Sequence, residues 1–190
     1  MKAAVLVEPE IPENTGSIAR LAHNYGYQLR VVNPGFNLAE ARKTAKNAQE
    51  KLRNAKIYES VEKAVEDLDY VAGTKPGKGV GLKEFTPREN TSIMIGRESS
   101  GLSNQELELC DTVIHIETSG YSSLNQSHAT AVIMHQLSKT EKQGMNRKTR
   151  RHISNIINSE ILEELVLRSN PSQSEAEALI GELNQLFDSQ

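Results

Sequence analysis

The sequence predicts an α/β protein, a parallel sheet flanked by helices with a short helical extension at its C-terminal end. Brief apolar runs recur from Ala3 to Ile116, each too short for a helix. Segments with helical spacing separate them, an alternation that gives parallel strands joined by crossover helices. Charge marks the end of this pattern. Six basic residues (Lys139, Lys142, Arg147, Lys148, Arg150, Arg151) face one acid, Glu141, between Lys139 and His152, whereas beyond it Arg168 stands alone against seven acids. The sequence therefore divides into a domain over 1–142, a basic linker over 143–151 and a helical extension over 152–190.

Ala3–Val7 reads as the first buried strand. After a turn with two prolines, a helix is expected from Asn14, an acceptable N-cap, to Tyr25, with Gly26 as its stop. Leu29–Val32 is the second strand. Small and apolar residues at 38, 41, 45, 48 and 52 predict one helix over Leu38–Asn54 with a narrow buried face. Lys56–Tyr58 (strand), Ser60–Asp67 (helix) and Tyr70–Thr74 (strand) follow. Glycines 77, 79 and 81 then suggest a mobile surface loop before a strand at Ser92–Ile95. Ser103 and Glu106 have the spacing of a capping box for a short helix. Thr112–Ile116 is the last strand, and a helix is expected over Ser123–Lys142. In the extension, Ser172 and Glu175 open an amphipathic helix with Ala176, Leu179, Ile180, Leu183, Leu186 and Phe187 on one stripe.

Composition excludes several classes. The 190 residues are 37% hydrophobic and 25% charged, and no apolar run nears the ~20 residues of a membrane span. The run after Met1-Lys2 is too short for a signal-peptide core, so a cytoplasmic protein is expected. Cys110 is the single cysteine, which excludes an internal disulfide and a cysteine-rich zinc site. His23, His115, His128, His135 and His152 form no metal-binding spacing, and no metal is expected.

Three polar clusters follow strands, where an open α/β sheet places its ligand crevice. The first, Pro12–Arg20, contains Asn14, Gly16 and Arg20. Gly16 would leave the helix start bare for a phosphate, although a capped helix with a solvated arginine explains the segment equally. The second is Gly96-Arg97-Glu98-Ser99-Ser100-Gly101-Leu102, also readable as a simple strand-to-helix loop. The third runs from Glu117 to Ala129. Ser122 and Ser123 may serve only as caps there, but Asn125 and His128 are poor helix formers at the start of a helix. No Walker loop, G-x-G-x-x-G fingerprint or G-x-S-x-G elbow occurs, which argues against a dinucleotide-dependent oxidoreductase.

In order, the clusters resemble the three signature motifs of the SPOUT superfamily of knotted RNA methyltransferases, in the TrmJ-like branch of the TrmH family. They appear as Asn14-x-Gly16-x-x-x-Arg20, Gly96-Arg97-Glu98-x-x-Gly101-Leu102 and Tyr121-x-Ser123-Leu124-Asn125. Val31-Val32-Asn33-Pro34, Gly73-Thr74 and Asn104-x-Glu106-Leu107 add to the likeness, which covers residues 1 to about 140. It departs in the loop between Ile116 and Ser123, one residue shorter than expected and carrying Gly120.

The resemblance implies a deep trefoil knot over about 92–142 and transfer of a methyl group from S-adenosyl-L-methionine to a ribose 2′-hydroxyl of tRNA, at the cytidine or uridine of anticodon-loop nucleotide 32. Another tRNA or rRNA nucleotide, or an RNA-binding relative without catalysis, is the alternative. Carried over by motif, the catalytic set is Arg20, Asn14, Ser123, Asn125 and Glu98, with Asn14 and Ser123 positioning Arg20. The cofactor contacts are Thr74, Lys75, Pro76, Gly96, Ile116, Ser122, Ser123 and Leu124. RNA would be gripped by Arg20, Lys139, Lys142, Arg147, Lys148, Arg150 and Arg151. A homodimer is implied, through Ala129, Val132, Ile133 and Leu137 unless these pack on their own sheet.

Overall fold

The computed structural model describes residues 1–140, 147–157, 159, 162, 165, 166, 169, 171 and 173–188. Two compact units divide at Thr140. In the first, seven strands form one sheet: β1 (Ala3–Val7), β2 (Gln28–Val32), β3 (Lys56–Tyr58), β4 (Tyr70–Thr74), β5 (Val80–Gly81), β6 (Thr91–Ile95) and β7 (Thr112–His115). Their order is β3-β2-β1-β6-β4-β7-β5, and every pairing is parallel. β6 inserts between β1 and β4, so the chain reverses its direction of travel across the sheet there.

Both faces are covered, as expected for parallel strands. Side chains alternate along each strand. Ala4 and Leu6 of β1 join Leu29, Val31, Ile93 and Ile114 in a core with the helices α1 (Pro12–Asn24) and α6 (Gln126–Thr140). Ala3, Val5 and Val7 point the other way, to a core with Val61 and Ala64 of α4 (Val61–Val65) and Leu107 of α5 (Asn104–Glu108). On this second side β2 carries Arg30, fully buried, whose guanidinium bonds Asp67 and donates to the Ala64 carbonyl at 2.7 Å.

Several expected boundaries move for local reasons. α1 begins at Pro12, two residues before Asn14, because proline at the first helical position already has helical φ and needs no donor. The helix expected over Leu38–Asn54 breaks into α2 (Arg42–Ala45), a 3-10 turn at Lys46–Ala48 and α3 (Gln49–Arg53), with Lys46 at φ +45°. Ala41, Ala45, Ala48 and Leu52 are nevertheless all buried, so the inward face is continuous although the helix is not. The glycine-rich segment is no mobile loop. Val80–Gly81 pair with Ile114–His115, and Leu82 and Phe85 are buried. α5 has the capping box in full, with Ser103 and Glu106 each bonding the other's backbone.

Gly16 has a different use from the one expected. A Cβ there would lie 2.0 Å from Thr44 Oγ1 and 2.2 Å from the Ala41 carbonyl oxygen. The bare backbone lets α1 and α2 touch and is not open to a phosphate.

In the second unit, Arg147–Ile156 form α7 and Gln173–Asp188 form α8. Residues 147–151, expected as linker, are thus the first half of a helix. Ile153, Ile157 and Ala176 are buried together, with Val166, Leu179, Ile180 and Leu183 against them. Ser172, the expected cap, and the side chains of Leu186 and Phe187 lie outside the described residues.

Candidate functional site

A cavity of about 590 Å³ opens at the carboxyl ends of β4, β6 and β7, within the range of small-molecule sites. Thr74, Lys75 and Pro76 line it after β4, Gly96 to Gly101 after β6, and His115 and Ile116 at the end of β7. Tyr121 to Gln126, then Ala129 and Ile133 of α6, complete the wall, and Ile11 and Asn14 close the side next to β1. All eight expected cofactor contacts lie on this lining, as do Asn14, Glu98 and Asn125.

Hydrogen bonds tie the three polar clusters into one network. Asn14 Nδ2 donates to Glu98 Oε1 at 3.1 Å, and Asn125 Nδ2 donates to Asn14 Oδ1 at 3.1 Å. Asn125 Oδ1 accepts from the backbone of Ser127 at 3.0 Å and of His128 at 3.3 Å, so Asn125 is itself the cap of α6. That role explains a poor helix former at the helix start, and Ser122 and Ser123 are not the cap. Glu98 also accepts from the backbone N–H of Glu10 at 2.9 Å and of Ile11 at 3.3 Å. α1 has no capping side chain of its own at Ile11, and Glu98 supplies an acceptor at that helix start from 87 residues away.

Three residues outside the expected set complete this clasp. Glu10 returns the contact, accepting from Ser99 N at 2.9 Å and Ser99 Oγ at 2.7 Å. Arg97 donates to Glu8 at 2.8 Å and to both oxygens of Glu106 at 2.9 and 3.1 Å. Burial pushes the Glu106 carboxyl up, but the guanidinium and the Ser103 backbone outweigh it and hold it below its ordinary value. Two acids in a proline-rich turn carry no signal of such pairing, whereas Arg97 stood inside a motif and was readable as a candidate. Gly96 is required because a Cβ there would lie 2.1 Å from the Gly101 backbone, where the loop folds back over the strand end.

The remaining candidates are placed differently. Arg20 is exposed on α1, about 9 Å along the axis from Asn14. It does not line the cavity, and no hydrogen bond within the chain joins it to Asn14 or Ser123 among the described residues. Lys75 bonds the Leu102 carbonyl at 2.6 Å, so its ammonium braces the loop after β6. Ile133 and Leu137 are buried in the chain's own core, which corrects their expected place in a dimer interface; Val132 is 45% exposed. Arg151 is exposed, while Lys142 and the side chains of Lys139, Arg147, Lys148 and Arg150 lie outside the described residues. Burial pushes the Cys110 thiol up to about 12, which disqualifies it as a nucleophile. Among the described residues no cluster could hold a metal ion, and no helix is long and apolar enough to cross a membrane.

The cavity suits a nucleoside-bearing ligand. Ile95, Ile114, Leu124, Ala129 and Ile133 give apolar surface, and the strand ends offer backbone groups. Two buried side-chain atoms of lining residues, His115 Nδ1 and Gln126 Oε1, have no hydrogen-bond partner. S-adenosylmethionine, with an aromatic base and several donors, fits such a lining.

Fold and cavity together define an α/β methyltransferase of SPOUT type. Residues 1–135 match the SpoU rRNA Methylase family, and the chain belongs to that family. It is 38% identical over 154 residues to the tRNA (cytidine-2'-O-)-methyltransferase TrmJ of Methanocaldococcus jannaschii, an alignment covering 72% of this chain and 67% of that one. The solved structure of the SpoU methyltransferase AviRb from Streptomyces viridochromogenes, in complex with the cofactor AdoMet, superposes with a TM-score of 0.64 at 26% identity, over 72% of this chain and 59% of AviRb. A structure described as giving insight into the 2-OH methylation of C/U34 on tRNA has a TM-score of 0.68 at 26% identity, over 74% of this chain and 95% of its own. The chain thus spans about two thirds of the archaeal enzyme's length.

Proposed function

We propose that this protein is an S-adenosylmethionine-dependent tRNA ribose 2′-O-methyltransferase of the cytoplasm, acting as a homodimer on the cytidine or uridine at anticodon-loop nucleotide 32. The observation that carries the reading is the Glu98–Asn14–Asn125 chain, which gathers the three motifs around one cavity. The TrmJ relative supports tRNA and the 2′-oxygen, and the AdoMet complex of AviRb supports the cofactor. Nucleotide 34 is the second reading, favoured by the structural neighbour described for C/U34.

When bound, S-adenosylmethionine supplies a methyl group activated by a sulfonium. The chain's own task is to present a ribose hydroxyl and stabilise the charge that grows on its oxygen as the proton leaves. Arg20 is suited to this. A guanidinium stays protonated and is no general base, but its planar fork can hold a phosphate and the hydroxyl oxygen together. Glu98, Asn14, Asn125 and Ser123 position the loops around the reacting centre, and the knot expected over about 92–142 belongs to the same reading.

Because Arg20 does not line its own chain's cavity, its approach to the reaction requires a second copy. Tyr121, 84% exposed, Leu124 and Val132 offer apolar surface for that contact. Arg20, Lys139, Lys142, Arg147, Lys148, Arg150 and Arg151 supply the charge for tRNA phosphates.

Calorimetry with S-adenosylhomocysteine and mapping of 2′-O-methyls on tRNA test the proposal. Arg20→Ala is expected to lower turnover by about 100-fold or more, the usual loss of one transition-state donor, with S-adenosylhomocysteine affinity unchanged. Arg20→Lys should recover little. Near wild-type turnover in Arg20→Ala, or binding of NAD in place of S-adenosylhomocysteine, would overturn the assignment.

A further inference from the structure

We propose that Gln126 is a recognition residue for the base of the cofactor, its side-chain carbonyl accepting a hydrogen bond from the exocyclic amine of adenine. The inference rests on the cofactor reading above and adds a contact that none of the three motifs supplies.

Gln126 is the first residue of α6 and is 8% exposed. Its Nε2 donates to the Gly96 carbonyl at 2.8 Å. That contact fixes the amide, because a carbonyl oxygen only accepts and the flipped rotamer would set two oxygens against each other. Oε1 is thereby committed to the other side, where it is buried and without a partner. A buried amide oxygen left unpaired costs about 1–3 kcal/mol, so a ligand that brings a donor there gains affinity, and one that brings an acceptor is refused. His115, the other lining residue with an orphan atom, can change tautomer to suit its surroundings; Gln126 cannot.

The neighbours select the donor. Gln126, Ala129 and Ile133 stand on one face of α6 (positions i, i+3 and i+7) and all line the cavity. Beside Ile114 they make an apolar slot with a single unsatisfied acceptor, a setting for an aromatic ring that carries one donor on its edge. In S-adenosylmethionine that group is the adenine amine. The ribose hydroxyls and the ammonium are strongly hydrated and belong at the open rim near the exposed Ser122 and Ser123.

The test compares S-adenosylhomocysteine with S-inosylhomocysteine, in which a carbonyl replaces the amine, by calorimetry on wild type and Gln126→Met. Methionine keeps the length of the side chain and removes the acceptor. The wild type should prefer the adenosyl ligand, and Gln126→Met should weaken that ligand about threefold to tenfold, the worth of one neutral hydrogen bond, so that the preference shrinks by at least the same factor. A preference retained in Gln126→Met would overturn the inference and leave the cofactor reading standing, since water or backbone would then satisfy the amine. Equal wild-type affinities for the two ligands would overturn it without need of the variant. No binding of S-adenosylhomocysteine by the wild type would overturn both.

Discussion

Replacing Glu98 by alanine removes the acceptor for three donors at once: Glu10 N at 2.9 Å, Ile11 N at 3.3 Å and Asn14 Nδ2 at 3.1 Å. Bonds to an ionised acceptor are worth about 1.5–3 kcal/mol each when water is excluded. Here the two backbone donors are exposed and water replaces the carboxylate, so roughly 0.5–1 kcal/mol per bond is the appropriate scale. The sum is about 1.5–3 kcal/mol, which for a chain of this length lowers Tm by roughly 3–12 °C. Scanning calorimetry measures this directly. Glu98→Gln should fall between wild type and alanine, because it keeps one acceptor and turns an amide group toward the other donors. S-adenosylhomocysteine affinity should fall in the same order, as Glu98 is part of the cavity wall. If Glu98→Ala melted within about 1 °C of wild type yet lost all turnover, the clasp would carry no stability and Glu98 would act on the reacting groups.

Asp67→Ala leaves the buried Arg30 with the Ala64 carbonyl and Gln28 Oε1. Unpairing a buried charge costs about 3–5 kcal/mol; Asp67 is 59% exposed and Arg30 keeps two acceptors, so roughly 1–3 kcal/mol is expected by denaturant titration. The Arg30 bond holds the Asp67 carboxyl below its ordinary value, so the stabilisation is full above the unfolded-state value and disappears as pH falls through the lowered one, closing the gap between wild type and variant. Asn14→Asp is nearly isosteric but sets a second carboxylate against Glu98. It should melt lower than Asn14→Ala at pH 8 and recover at pH 5 as the two acids share a proton; an equal deficit at both pH values would refute the network. Changing Arg147, Lys148, Arg150 and Arg151 to alanine should reduce the slope of log affinity for tRNA against log salt by up to ~0.9 per lost phosphate contact. An unchanged slope would leave that segment without an RNA role.

The architecture was legible because it depends on apolar runs. Ala3–Val7 and Thr91–Ile95 are buried along their whole length, and such strands have few alternatives. The break at Lys46 was not legible: the spacing of Ala41, Ala45, Ala48 and Leu52 continues across it, and nothing in a lysine marks a positive φ. The lining of the cavity was legible through the motifs, but the bonding within it was not. Glu8, Glu10 and Arg97 reach across 89 positions to find their partners, a distance over which composition and period carry no information. The same holds for Arg30, a lone arginine in an apolar strand whose counter-charge lies 37 residues on.

These long-range contacts explain why the motif residues must act together. Glu98 accepts from Asn14, Asn14 accepts from Asn125, and Asn125 accepts from the first amides of α6, so each amide's orientation is fixed by the next. A chain of this kind polarises along its length and is sensitive to the loss of any member. One end holds the start of α1, the helix that carries Arg20; the other holds the start of α6, the helix that carries Gln126. Displacing the loop after β6 would therefore move the arginine proposed for the RNA side and the amide proposed for the cofactor side together. The geometry ties cofactor binding to the placement of α1, so a ligand that orders the cavity wall also stiffens the helix from which Arg20 acts.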